Sequence, residues 1–256
     1  MYKKSKKEIK NIRVNILKKT YEANSSHIGS CYSVVEILYA LYFLKLKKKD
    51  TFILSKGHAA LAQYCTLFEK KILSKASLDS YGKNNTNLMA HVSHKVKGVE
   101  FSTGSLGHGL PYAVGKALGE KINKSKSKIY VLISDGELNE GTTWESLLFA
   151  SFHKLDNLFI IIDYNKIQSL DFVKNVLKIE PLKQKLTSFN CNVSQIDGHN
   201  INQIIKSLKS KKNNKPNIII ANTIKGKGVK FMENTVLWHY KSPNKKQLSD
   251  ALKDLK

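Results

Sequence analysis

Arginine is almost absent from this chain. Of its 43 basic residues only Arg13 carries a guanidinium, against 20 acidic residues and a formal net charge of +23. Such an excess would suit a polyphosphate partner, because lysines that neutralise phosphates give sequence-independent affinity. Two features argue against nucleic acid. Phosphate and base recognition favours the planar guanidinium fork over an ammonium point charge. The lysine clusters at Lys45–Lys49, Lys124–Lys128 and Lys209–Lys215 fall between expected elements rather than on one stripe, and Ile and Asn are also abundant, as an AT-rich coding bias would give. Cysteine is scarce too: Cys31, Cys65 and Cys191 are odd in number, far apart and free of any Cys-x-x-Cys spacing. That excludes a disulfide framework or a thiolate metal centre and fits reduced thiols in a cytoplasmic compartment. No apolar run approaches the 18 or more residues of a membrane span. The basic start, MYKKSKKEIKNIR, lacks the apolar centre of a secretory signal and contains Glu8, so it reads as part of a first helix. There is no internal repeat and no disordered domain.

What is present alternates. Ile9, Ile12, Ile16, Leu17 and Tyr21 recur at helical spacing within residues 6–23. A second helix is expected from Ser33, with Glu36 completing a capping box, which leaves His27 in a polar loop. Strands are expected at 50–54, 129–133, 158–164, 191–196 and 217–223. Helices are expected at 59–70, 110–121, 143–155, 180–188, 201–210 and 247–255, with 74–100 a long irregular loop. This order predicts an α/β fold: a doubly wound, mostly parallel sheet with helices on both faces. A chain of 256 residues and 28.9 kDa is of a size for one domain, 1–256, with a C-terminal tail from about 241.

Chemistry concentrates where strands end. In the stretch from Lys128 to Ser169 a βαβ unit sends Asp135-Gly136 and Asn165 to one edge of the sheet. An Asp carboxylate, an Asn amide oxygen and a neighbouring carbonyl suit a hard divalent cation, and Gly136 would let the backbone approach a diphosphate. Asp-Gly is equally a turn signal, and the chain carries a second one, Asp197-Gly198, without a downstream Asn. His58 follows a strand in Ser55-Lys56-Gly57-His58, a position fit for a ligand or for a helix cap. The long loop carries His91 and His94 and leads into Thr103-Gly104-Ser105-Leu106-Gly107-His108-Gly109, where glycines permit close backbone approach or simply a flexible turn. Lys225-Gly226-Lys227-Gly228 reads as a flexible basic loop before Trp238-His239.

Together these blocks resemble the thiamine-diphosphate-binding N-terminal half of transketolase, as found in transketolases split into two polypeptides. The resemblance covers essentially the whole chain, from Ser26-His27-Ile28-Gly29 to Trp238-His239. It implies that Asp135, Asn165 and the carbonyl of Ile167 hold Mg2+, or Ca2+ or Mn2+. By the same resemblance Gly136, Asn165, His58 and His239 face the diphosphate, and Gly104, Ser105 and Leu106 line the ring system. His27 and His239 meet the sugar hydroxyls, His91 the donor sugar, and Glu140 a subunit contact; His27, His58, His91, His239 and Glu140 form the catalytic set. Ser134 replaces the first Gly of the family's Gly-Asp-Gly, and His91 stands in Met89-Ala90-His91-Val92 rather than a Gly-His-Pro context. His94, His153 and His199 read as structural or surface residues, and His108 is left open.

The glutamate that protonates the aminopyrimidine ring comes, in this family, from a pyrimidine-binding domain. The resemblance therefore implies a C-terminal partner subunit in a heterotetramer of two of each chain, and sugar phosphates as substrates, with neither nucleic acid nor membrane as partner. The rival readings are the equivalent subunit of a 2-oxoacid dehydrogenase or deoxyxylulose-phosphate synthase, or a non-catalytic basic protein retaining the fold.

Overall fold

The structure, a computed structural model, describes residues 2–209 and 213–255. Ser210, Lys211 and Lys212, which include the expected end of the helix at 201–210 and part of one lysine cluster, lie outside them, as does Lys256.

Helix α1 (Tyr2–Glu22) buries Ile12, Ile16 and Leu17 completely, while Tyr21, expected on the same face, is exposed. The chain then turns through Asn24 and His27, both with left-handed backbone (φ 45° and 71°), into α2 (Ile28–Tyr32) and α3 (Val35–Tyr39), the latter running on as a π-helical segment over Ala40–Lys45. The expected Ser33/Glu36 capping box is not formed. The chain is already helical before Ser33, so there is no free helix start for it to serve. Ser33 Oγ lies 2.7 Å from the Asp163 carboxylate instead, and Glu36 pairs with Arg13 at 2.8 Å.

Strand β1 (Thr51–Leu54) passes through a 3-10 turn, Gly57–Ala59, into α4 (Ala60–Glu69). The segment 74–100 is not wholly irregular: Ser74 caps a short helix, α5 (Lys75–Asp79), accepting from Ser77 N at 3.1 Å. Then follow α6 (Gly109–Ile122), β2 (Ile129–Ser134), α7 (Gly141–Phe152) and β3 (Leu158–Tyr164). The second half adds α8 (Val173–Val176), α9 (Leu182–Ser188), β4 (Asn192–Asp197), α10 (Ile201–Ser207), β5 (Asn217–Asn222) and α11 (Lys245–Asp254).

The five strands form one parallel sheet in the order β1-β2-β3-β5-β4. Every residue of β1, β2 and β3 is buried, as near-continuous apolar runs such as LFIIIDY require of a sheet covered on both sides. Alternation along the strands sorts the core into two layers. Phe52, Leu54, Tyr130, Leu132, Phe159 and Ile161 pack toward α1–α4, whereas Ile53, Val131, Ile133, Ile160 and Ile162 pack toward α6, α7 and α9. The sheet is thus doubly wound, and its carboxyl ends open on one side.

One buried ion cluster ties α1 to this frame. Glu36, 8 % exposed, accepts from Arg13 and lies 3.0 Å from His199 Nδ1, while Arg13 Nε donates to the Lys227 carbonyl at 2.9 Å. Burial alone would raise the Glu36 carboxyl, but the Arg13 guanidinium and His199 outweigh it and hold it at about 2. Its stabilising contribution is therefore complete above the ordinary value of 4.5 and is lost as pH falls through about 2. Glu36→Gln leaves Arg13 buried without a counter-charge, and urea unfolding at pH 7 should show a loss of about 3 kcal/mol; a loss under about 1 kcal/mol, the scale of a surface pair, contradicts this account.

Candidate functional site

Four strand ends deliver the site. The parallel register sets Ser134 of β2 beside Asp163 of β3, so the loops that follow leave the same edge carrying Asp135 and Asn165. There the chains cross-link: Lys166 N donates to Asp135 Oδ2 at 2.7 Å, and Ile167 N to Asn165 Oδ1 at 3.1 Å. Between Asp135-Gly136 and the helix expected at 143–155, which begins at Gly141, the chain forms a 3-10 turn, Asp135–Asn139, because Glu137 folds back on Ser134 N at 2.9 Å and closes a local capping box.

Glu137 does more than cap. It is fully buried, receives Ser55 Oγ from the end of β1, and accepts from Gly107 N at 3.2 Å. One carboxylate thus fastens the loops after β1 and β2 to the glycine-rich segment. Glycine is required where those loops touch. A Cβ at Gly57 would come 2.4 Å from the Thr103 carbonyl, and one at Gly109 would come 2.4 Å from Ser55 Oγ. Gly107 has φ 77°, in the left-handed region. Gly104 lies against His91, whose ring a Cβ would meet at 3.3 Å.

The histidines converge. Ring centroids of His27 lie 5.5 Å from His58, 5.7 Å from His91 and 5.1 Å from His239, and His58 is 5.6 Å from His239. The backbone fixes part of this wall, since His27 N donates to the His239 carbonyl at 2.7 Å and Gly226 N to the Gly29 carbonyl at 3.0 Å. Burial lowers all four imidazoles. His27 falls to about 4, helped by His91 and Lys225; His239 falls to about 3, helped by Lys225; His58 lies well below its ordinary value and His91 below it. They are neutral at pH 7 and can both donate and accept.

Lys225 joins the histidine wall to the acidic edge. Its buried ammonium lies 2.8 Å from His239 Nδ1 and donates to the Ile167 carbonyl at 3.0 Å. Burial and the nearby Lys56 lower it to about 8, against the pull of Asp135 and Asp163. Asp135, 2 % exposed, is displaced the other way: burial and the Asp163 charge push its carboxyl up to about 7. The oxygen donors of Asp135, Asn165 and Ile167 are of the kind a hard divalent ion takes, and one of them already receives a cationic group. On those grounds the residues fit a cation.

Of the remaining residues singled out from the sequence, Ser105 is exposed, Leu106 and Gly136 are partly buried, and Glu140 is exposed at the start of α7. His108 turns back on its own loop, Nδ1 2.9 Å from the Leu106 carbonyl; His94 is bound to Ser102, and His153 sits among Phe149 and Phe152. His199 belongs to the Arg13–Glu36 cluster and accepts from Ile224 N at 2.9 Å. Sequence reasoning missed Lys56, Glu137, Asp163 and Lys225, all buried. Asp163 carried a signal, a lone acid in a strand otherwise built for burial; a buried Lys56 or Lys225 could not be singled out among so many lysines.

Comparison with known proteins agrees with this architecture. Residues 4–253 match the family model described as transketolase, thiamine diphosphate binding domain. The chain is 42% identical over 269 residues to one of the subunits of the apulose-4-phosphate transketolase of Actinobacillus succinogenes, covering 100% of this chain and 97% of the relative. It is 36% identical over 240 residues to a 6-deoxy-6-sulfo-D-fructose transketolase subunit of a Clostridium species, covering 89% and 87%. A transketolase structure from Leishmania mexicana superposes with a TM-score of 0.90 at 23% identity over 98% of this chain, a likeness of fold; the chain spans 41% of that protein's length. The chain therefore belongs to the transketolase family, as its thiamine diphosphate binding domain.

Proposed function

We propose that this protein is the thiamine-diphosphate-binding subunit of a two-chain transketolase, moving a two-carbon ketol unit between sugar phosphates. The observation that carries the reading is the juxtaposition of the oxygen donors Asp135, Asn165 and Ile167 with the wall of His27, His58, His91 and His239, bridged by Lys225. Asp135, Asn165 and the Ile167 carbonyl would hold Mg2+ or a similar ion. Gly136, Asn165, His58, His239 and Lys225 would receive the diphosphate. Gly104, Ser105 and Leu106 would line the rings. The carbanion chemistry of ketol transfer is what the cofactor supplies when bound.

The chain's own part is placement and proton handling. Neutral imidazoles at His27, His58 and His239 can meet sugar hydroxyls without adding positive charge; with its Nδ1 taken by the Lys225 ammonium, His239 offers its Nε2–H as a donor, and His27, whose Nδ1 lies 3.1 Å from Ser26 Oγ, offers Nε2. His91, at the exposed rim, would meet the donor sugar. Gly136 supports the diphosphate reading from a different side: a Cβ there would meet only ordinary contacts, the nearest at 3.7 Å, so nothing within the chain demands glycine.

The reading includes a partner. The relative from Actinobacillus is itself named as one subunit of its transketolase, and the glutamate expected to act on the aminopyrimidine ring would come from a C-terminal subunit, in a heterotetramer of two of each chain. Beyond Glu140, α7 presents Leu148, Phe149 and Phe152, at 60%, 44% and 80% exposure, a spacing that puts them on one face. Such a patch suits burial against another subunit. Among the described residues no helix is long and apolar enough to cross a membrane. The three free thiols suit work in the cytoplasm.

Three outcomes test this. The isolated chain should show no ketol transfer, and adding the C-terminal subunit should restore it; full activity of the pure chain refutes the two-chain reading. Asp135→Ala should abolish metal-dependent binding of thiamine diphosphate in calorimetry, whereas unchanged affinity removes Asp135 from the cation site. Lowered imidazoles also set a stability profile. Unfolded histidines take protons near 6.5, while folded His27 and His239 resist until about 4 and 3, so stability falls as pH drops below 6.5. Urea titrations should show a shallower fall for the double variant His27→Gln/His239→Gln than for the parent between pH 6.5 and pH 4; equal slopes contradict neutral burial.

A further inference from the structure

We infer that Asp163 is a positioning residue for the cation site, the group that turns the Asn165 amide so that its oxygen faces away from the core. This rests on the reading of Asp135, Asn165 and the Ile167 carbonyl as the cation's ligands. Asp163 is the penultimate residue of β3 and has 0% exposure. Its Oδ2 accepts from Asn165 Nδ2 at 2.8 Å, lies 2.7 Å from Ser33 Oγ and pairs with the Lys56 ammonium, while its Oδ1 accepts from Thr223 Oγ1. An ionised carboxylate only accepts, so an amide held against it must present its nitrogen. Asn165 Oδ1 is thereby committed to the other side, where it meets Ile167 N at 3.1 Å.

A merely structural role does not explain the choice of residue. A fully buried ion pair is costly to desolvate, and well-packed apolar residues in its place are often neutral or stabilising. What apolar residues cannot do is discriminate between the two ends of an amide. Lys56 completes the device: also at 0% exposure, its ammonium balances Asp163 and so keeps that carboxylate from serving as a second anionic ligand. The four partners come from the turn between α2 and α3 (Ser33), the loop after β1 (Lys56), the loop after β3 (Asn165) and the loop after β5 (Thr223). One side chain thus references the amide to three other segments around the site. Outer partners of this kind orient ligands, and their loss typically costs ~10–100-fold in metal affinity.

The test is Mn2+ binding to the complex of this chain with its C-terminal subunit, with thiamine diphosphate in excess, followed by electron paramagnetic resonance, which reads the metal and not turnover. Absence of Mn2+ binding by the parent overturns the ligand reading itself, and this inference with it. Given binding, Asp163→Asn should weaken it ~10–100-fold. Because that variant leaves Lys56 without a counter-charge, a second pair keeps the test independent of its folding. Asn165→Asp replaces an amide oxygen by a carboxylate, a ligand of the kind hard cations favour. If Asn165 stood alone, affinity would hold or rise; facing Asp163 it should fall. The exchange Asp163→Asn/Asn165→Asp keeps one negative charge within the pair, restores a donor facing an acceptor, and should recover affinity toward the parent. Parental affinity in Asp163→Asn, affinity at or above the parent in Asn165→Asp, or an exchange variant no better than Asn165→Asp each overturns the assignment.

Discussion

The in-register parallel pairing of β2 with β3 is the constraint on which the rest depends. Ser134 opposite Asp163 places two successive loops at one edge, and the first residues of those loops then bond across, Lys166 N to Asp135. A slip of one residue would turn Asp163 from the face bearing Ser33 and Lys56 to the face of α6 and α7, exchanging every side chain of the strand between layers. The apolar runs on both strands forbid that slip, because both layers of the core read the same alternation. Site geometry is therefore fixed by hydrophobic burial several residues away from any polar atom that uses it.

Three buried carboxylates then divide the work, and the way each is compensated differs. Glu137 is met by neutral donors, Ser55 Oγ and the N–H groups of Gly107 and Ser134, which suits a group that locks loops together. Asp163 is met by an ammonium and by Ser33, Asn165 and Thr223, which suits a fixed reference charge. Burial raises Glu137 as well, but Asp135 receives one backbone N–H, lies near Asp163, and is pushed up to about 7. Among these three it is the one whose charge the chain leaves least balanced, so a cation from outside would gain most there.

Much of the fold was legible because burial writes itself into period and run length. The strand at 158–164 is read to the residue, and the helices at 59–70 and 110–121 to within about one turn. Failures came where tertiary partners override local chemistry. Ser33 and Glu36 have the spacing of a cap, yet Asp163 and Arg13 claim them. Glu137 carries a local signal only for the cap, its spacing of three from Ser134; its role in fastening loops had none, since its partners Ser55 and Gly107 lie 82 and 30 residues away in sequence. Asp135, Asn165 and His58 stood out because polar residues follow strands there, and His27 because it follows a helix, whereas His91 and His239 were assigned roles through the family resemblance. Lys56 and Lys225 were hidden by composition: in so lysine-rich a chain, nothing local separates a buried ammonium from a solvated one.

The glycines sharpen this distinction between what the chain needs and what it leaves free. At Gly57 and Gly109 a methyl group would collide with the neighbouring loop, so glycine there serves the joint between β1 and the glycine-rich segment. Gly29 is similar on a smaller scale, since a Cβ would press on Lys225 and the Trp238 carbonyl at 3.1 Å and disturb the closure that brings His239 over His27. Gly136 is under no such demand. Folding would let this residue be larger, and it stands next to Asp135, the carboxylate pushed up to about 7. The packing of the chain explains the glycines at 57 and 109 and leaves position 136 free, room that the proposed diphosphate contact would use.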